Sequence, residues 1–147
     1  MSTKMRPWLA GLLLTVAAAM PLAAQRFMAV GVPDHDVLEF FQKFQVAIVQ
    51  NNHAAVAQMV NYPLHVNRGA KDRRTINTPA ALLRDYDAVF TPAIRQAVIL
   101  ERAKNLYANN DGVALQRGTI WLRGQCDRGR PPHCRVGVGT INLPPGK

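Results

Sequence analysis

Serine is almost missing from this 147-residue chain; its single copy is Ser2. A Ser-His-Asp nucleophile therefore cannot be assembled from the body of the protein. Cysteine is nearly as scarce, with only Cys126 and Cys134. Acidic residues are few, 9 against 18 Lys and Arg, which gives a formal net charge of +9. After residue 24 no apolar run approaches the roughly 20 residues that a membrane-spanning helix needs, so no transmembrane segment is expected there. No glycine-rich phosphate loop and no metal-ligand cluster at a recognised spacing occurs. Together these absences disfavour covalent hydrolysis and predict neither a metal nor a cofactor.

The N-terminal residues carry the first positive signal. Lys4 and Arg6 precede an apolar run from Trp8 to Met20, and Ala23-Ala24 offers a small-residue cleavage point. This is the pattern of a cleavable export signal over residues 1–24, leaving a single domain over residues 25–147. No cysteine sits at the cut, so no lipid anchor is expected. Export predicts a periplasmic or secreted location, which is oxidising. There Cys126 and Cys134 are most simply a disulfide, closing a loop rich in turn formers. The competing reading, a metal site from Cys126, His133 and Cys134, matches no common zinc spacing and lacks a fourth ligand.

Losing Lys4 and Arg6 lowers the net charge from +9 to about +7. The excess is clustered. Arg68, Lys71, Arg73 and Arg74 form one stretch, and Arg117, Arg123, Arg128, Arg130 and Arg135 another. Export argues against nucleic acid as the partner. Anionic lipid head groups, cell-wall polymers or an acidic protein fit the charge better. The plainer alternative is that these arginines only solvate two loops.

Periodicity orders the chain into helices followed by strands. Val37, Phe40, Phe41, Phe44 and Ile48 form one apolar stripe of a first helix, with Asp34 as its expected N-cap. Asn51-Asn52 closes it and caps a short second helix, which Tyr62-Pro63 is expected to stop. Leu64 and Val66 suit a strand with His65 on its other face, a basic turn spans residues 67–74, and Thr75-Ile76 returns. Thr78-Pro79 and Thr91-Pro92 each pair a hydroxyl cap with proline at the first helical position. The first of these helices is expected to bury Leu82, Leu83, Tyr86 and Phe90. From Leu106 the pattern becomes β, with a turn at residues 109–112, one long strand over residues 113–123, and another over residues 135–143. Gly118, Gly137 and Gly139 inside those strands predict a strongly bent sheet.

Several strings in this order resemble a known superfamily: Phe40-Phe41-Gln42-Lys43-Phe44, Asn61-Tyr62-Pro63-Leu64, Leu83-Arg84-Asp85-Tyr86-Asp87, Tyr107-Ala108-Asn109-Asn110-Asp111-Gly112, and Gly118-Thr119-Ile120-Trp121. They are similar to small exported bacterial proteins of the NTF2-like, or cystatin-like, superfamily. The resemblance implies an α+β cone, with N-terminal helices packed on a strongly curved antiparallel sheet and a pocket at its open end. It also allows a homodimer across the sheet. It implies no activity, because one fold hosts many functions.

Superfamily members that move protons generally place a base in the cone opposite an oxyanion donor. His65, Asp85, Asp87 and Glu101 are the available bases, and Tyr62 and Tyr86 the donors. Asp85 and Asp87 flank Tyr86 on a helix, so they are expected to face solvent and pair with Arg84 or Arg95. His65 enters the cone only if its strand face lines it. Trp121 fits either the core or the cone mouth. No catalytic residue is assigned. The expected function is a non-catalytic exported domain that binds a small ligand or an envelope protein. Tyr62, His65, Tyr86 and Trp121 would line its pocket. Arg68, Lys71, Arg73, Arg74, Arg128 and Arg130 would steer an anionic partner. An isomerase, cyclase or dehydratase using acid–base chemistry, and an immunity or inhibitor protein, are the alternatives.

Overall fold

A computed structural model describes residues 26–27 and 30–144; the expected export signal over residues 1–24 lies outside them. The class is α+β: helices packed on one six-stranded sheet that is curled but not closed. Helix α1 spans Asp34–Val49 and α2 His53–Gln58. Strands β1 (Val60–Arg68) and β2 (Asp72–Ile76) form a hairpin, followed by α3 (Pro79–Arg84), α4 (Tyr86–Val89) and α5 (Pro92–Leu100). Strands β3 (Tyr107–Asn109), β4 (Gly112–Leu115), β5 (Ile120–Cys126) and β6 (Cys134–Leu143) complete the chain. The spatial order is β2-β1-β6-β5-β4-β3. Four of the pairings are antiparallel, but β1 runs parallel to β6, so the sheet is mixed. Among the described residues no helix is long and apolar enough to cross a membrane.

Most local signals act as expected. Val37, Phe41, Phe44 and Ile48 are buried along α1. Asn51 takes a left-handed φ of 53°, and the Asn52 side chain accepts a hydrogen bond from Ala55 N at 3.0 Å. Thr78 and Thr91 cap their helices through Ala81 N and Ile94 N. The space between helices and sheet is filled by Phe44, Phe90, Leu64, Leu115 and Ile141, each fully buried. Phe27, just past the expected leader, is 1% exposed and belongs to this core.

Four local expectations fail for identifiable reasons. Asp34 does not cap α1. Its carboxylate instead accepts from Arg26 N at 2.6 Å and Phe27 N at 2.8 Å, tying the lead-in to the helix. Tyr62-Pro63 does not end α2, which stops at Gln58; both residues lie inside β1. The helix starting at Pro79 breaks at Asp85 into α3 and α4, leaving Leu83 42% exposed while Leu82, Tyr86 and Phe90 are buried.

The largest departure is at residues 113–123, which form a hairpin rather than one strand. Val113, Ala114 and Leu115 pair with Leu122, Trp121 and Ile120. The reversal needs positive φ at three consecutive residues, Gln116 (47°), Arg117 (56°) and Gly118 (92°), of which only glycine adopts it without strain. Tertiary bonds hold it. The buried Glu101 carboxylate accepts from Gln116 N at 2.6 Å, and Asn142 Nδ2 donates to Gly118 O at 2.6 Å.

Glu101 also accepts from Arg102 N at 3.0 Å and from Asn105 Nδ2 at 3.3 Å. Glu101→Ala would remove the acceptor of three partly buried hydrogen bonds at once. It should lower unfolding stability by about 2–3 kcal/mol, read by denaturant titration. An unchanged midpoint would show that the turn closes without this carboxylate.

Candidate binding face

The strand register divides the sheet into two unlike surfaces, because cross-strand partners share a face. On the helix side Val66, Ile141, Ile120 and Leu115 are paired in succession, and all are buried. One residue along, Thr75, His65, Thr140, Trp121, Ala114 and Tyr107 are paired in succession across all six strands. This second row faces away from the helices.

The four expected pocket residues therefore do not meet. Tyr62 packs against the core, and its hydroxyl donates to Ala57 O at 2.9 Å. Tyr86 is 2% exposed, stacked between His53 (3.7 Å between centroids) and Phe90 (5.1 Å). His65 is exposed on the opposite face of the sheet, where it cannot reach either phenol. Trp121 is half-buried on the same outer row as His65, with its ring against Gly118. The base–donor pair of an acid–base enzyme is thus not formed from His65 with Tyr62 or Tyr86.

The other candidate bases are engaged elsewhere. Asp87 pairs with Arg95 at 2.8 Å, as its helix position predicts. Asp85 pairs with Arg74 at 3.2 Å rather than with Arg84. Both Glu101 oxygens accept backbone N–H groups. Cys126 and Cys134 form a disulfide across the last β5–β6 pair, which removes both thiolates that a metal site would require. Closing so short a loop contributes about 2.5 kcal/mol through chain entropy.

The basic clusters are also rearranged. Because β1 and β6 are parallel, the β1–β2 tip carrying Lys71 lies at the Leu143 end of β6, and the loop carrying Arg128 and Arg130 lies at its Cys134 end. Ten strand residues separate these ends, about 30 Å. In the disulfide loop Asp127 accepts from Gly129 N and His133 N, both at 2.9 Å, and these bonds hold its carboxyl below the usual carboxylate range. Arg68 and Arg74 face the helix side with Asp72.

Arg73, Arg123 and Arg135 share the outer face with His65. The six strands contain a single carboxylate, Asp72, and it lies on the other side. Among the described residues Arg73 and Arg123 form no ion pair, and Arg135 donates only to Gln125, at 3.1 Å. His65, Asn67, Arg73, Thr75, Arg123 and Thr140 line one open cleft of ≈ 450 Å³, with Arg74 at its edge. Sequence spacing identified Arg73 and Arg123 as members of separate clusters. Their convergence depends on which strands are neighbours.

Burial pushes the Tyr62 and Tyr86 phenols up to about 12. Unfolded phenols ionise near pH 10, so this contribution to stability is complete below about pH 10 and is lost as pH rises toward 12. Two of the three tyrosines should therefore titrate late in an ultraviolet pH titration. The Tyr86 hydroxyl is buried without a hydrogen-bond partner among the described residues. Tyr86→Phe should accordingly remove one late transition and leave stability equal or higher by up to about 1 kcal/mol; a loss of stability would reveal a bond to that hydroxyl.

Comparison with protein-family models, curated proteins and solved structures finds no match for this chain.

Proposed function

We propose that this chain is an exported, non-catalytic NTF2-like domain that binds an anionic partner in the cell envelope through the outer face of its sheet. The observation that carries this reading is the outer surface itself: Arg73, His65, Arg123 and Arg135 share it, and no strand carboxylate faces them. The disulfide fits a periplasmic or secreted location. The filled interior favours a surface site over a ligand enclosed in a cone.

A homodimer across this face, which the superfamily resemblance allows, would set the same unpaired arginines of two copies against one another. Like charges at an interface are costly, so an anionic partner is the better occupant. The mature protein should be monomeric by light scattering at low ionic strength. A dimer that dissociates on Trp121→Glu would reverse this assignment.

Affinity capture from an envelope fraction tests the binding surface. A retained partner should elute as salt is raised, because exposed charges more than a Debye length apart are screened. It should be lost from Arg73→Glu/Arg123→Glu and kept by Arg128→Glu/Arg130→Glu. Retention unchanged by both double substitutions would rule out cationic steering altogether.

A further inference from the structure

The anionic group recognised by this face can be specified further, an inference that rests on the outer sheet surface being the binding side. Thr75, His65 and Thr140 stand side by side on β2, β1 and β6, separated only by the inter-strand spacing of about 4.8 Å. Arg73 is two residues before Thr75 and thus on the same face of β2. Arg123 comes from β5, beyond β6, yet it lines the same cleft as His65. Its side chain therefore crosses β6.

That crossing has a local cause. The β5–β6 register slips between Trp121 and Leu122, whose partners are Thr140 and Val138, leaving Gly139 as an extra residue. A Cβ at position 139 would lie 3.0 Å from Arg123 Cδ and 3.2 Å from Cγ. The arginine stem thus occupies the space that any other residue at 139 would fill. Gly139 is a positioning residue for Arg123.

We propose that Arg73 and Arg123, with His65 and the hydroxyls of Thr75 and Thr140, form a site for a phosphate-class dianion. Arg73 and Arg123 line one cleft with no carboxylate among its lining residues, so an anion bound there would relieve their like-charge repulsion. A single carboxylate would neutralise only one of them. A phosphate dianion matches both charges, and its oxygens accept from guanidinium forks and hydroxyls together.

The test is a titration of the disulfide-intact mature protein with inorganic phosphate at low ionic strength, followed by backbone amide NMR. Saturable shifts are expected at His65, Thr75, Arg123 and Thr140. Arg123→Ala should weaken binding by about tenfold or more. Gly139→Ala should do the same through displacement of Arg123, with circular dichroism and the thermal midpoint unchanged. Arg128→Ala/Arg130→Ala removes charges that lie outside the cleft lining and should weaken binding several-fold less than Arg123→Ala.

Acetate should bind about tenfold more weakly than phosphate. Glycerol phosphate distinguishes the source. Tighter binding than inorganic phosphate marks an esterified group on a larger molecule, and weaker or equal binding marks the free ion. Absent saturation with both phosphates, shifts confined to the disulfide loop, or acetate binding as tightly as phosphate would overturn the proposal. If phosphate fails while partner capture still requires Arg73 and Arg123, the anion assignment falls and the binding face stands.

Discussion

Glu101 is the contact on which the architecture turns. Its carboxylate is buried and forms no ion pair among the described residues, and its oxygens gather N–H donors from just beyond α5 and from the turn at Gln116. A buried carboxylate is tolerated only when such donors satisfy it. Through them it stabilises a reversal in which two non-glycine residues take left-handed φ. The reversal folds β4 back on β5 and leaves the other edge of β5 free for β6. The outer cleft depends on that adjacency, because Arg123 reaches it only across β6.

The same arrangement explains why polar chemistry ends up outside. Helices cover one sheet face and fill it with aromatic and aliphatic side chains, including the Phe40, Phe44, Phe90, Tyr86 and His53 rings in successive contact. Little room remains there for a hydrated ligand. The uncovered face holds the residues for which burial would be costly, and it does so with cations and hydroxyls but no strand carboxylate. Positive potential on this surface is thus a consequence of alternation along the strands combined with the placement of the few acids. Asp85, at the break between α3 and α4, is held by Arg74, Asp87 on α4 is held by Arg95, and Glu101 lies in the interior.

Much of the fold was legible in the residues. The α1 stripe, the Asn52, Thr78 and Thr91 caps, the β1 alternation around His65 and the cysteine pair each rest on local rules with a period or spacing. The errors share a different origin. Residues 113–123 read as one strand because β-propensity continues through Thr119-Ile120-Trp121, and only Gly118 hints at a reversal whose stabilising partners are 15 and 24 residues away. Asp34 has the composition of an N-cap, but nearby backbone donors at Arg26 and Phe27 take its carboxylate instead. Tyr62, Tyr86, His65 and Trp121 are each plausible pocket residues by type. Tyr86 lies on α4, and for the three strand residues the side of the sheet depends on register, which one residue of offset reverses.

The sequence by itself determined the segments that are amphipathic, where helices begin, which thiols are available to bond and how strongly the charge balance favours cations. These properties belong to single residues and their near neighbours. Tertiary structure alone decided that β1 lies parallel to β6, that the two arginine-rich segments sit at opposite ends of the sheet, and that Arg73 and Arg123 converge beside His65. Such placements follow from strand order and from one unpaired glycine in a ladder. Both are set by contacts between residues distant in the chain, whose free energies no local pattern records.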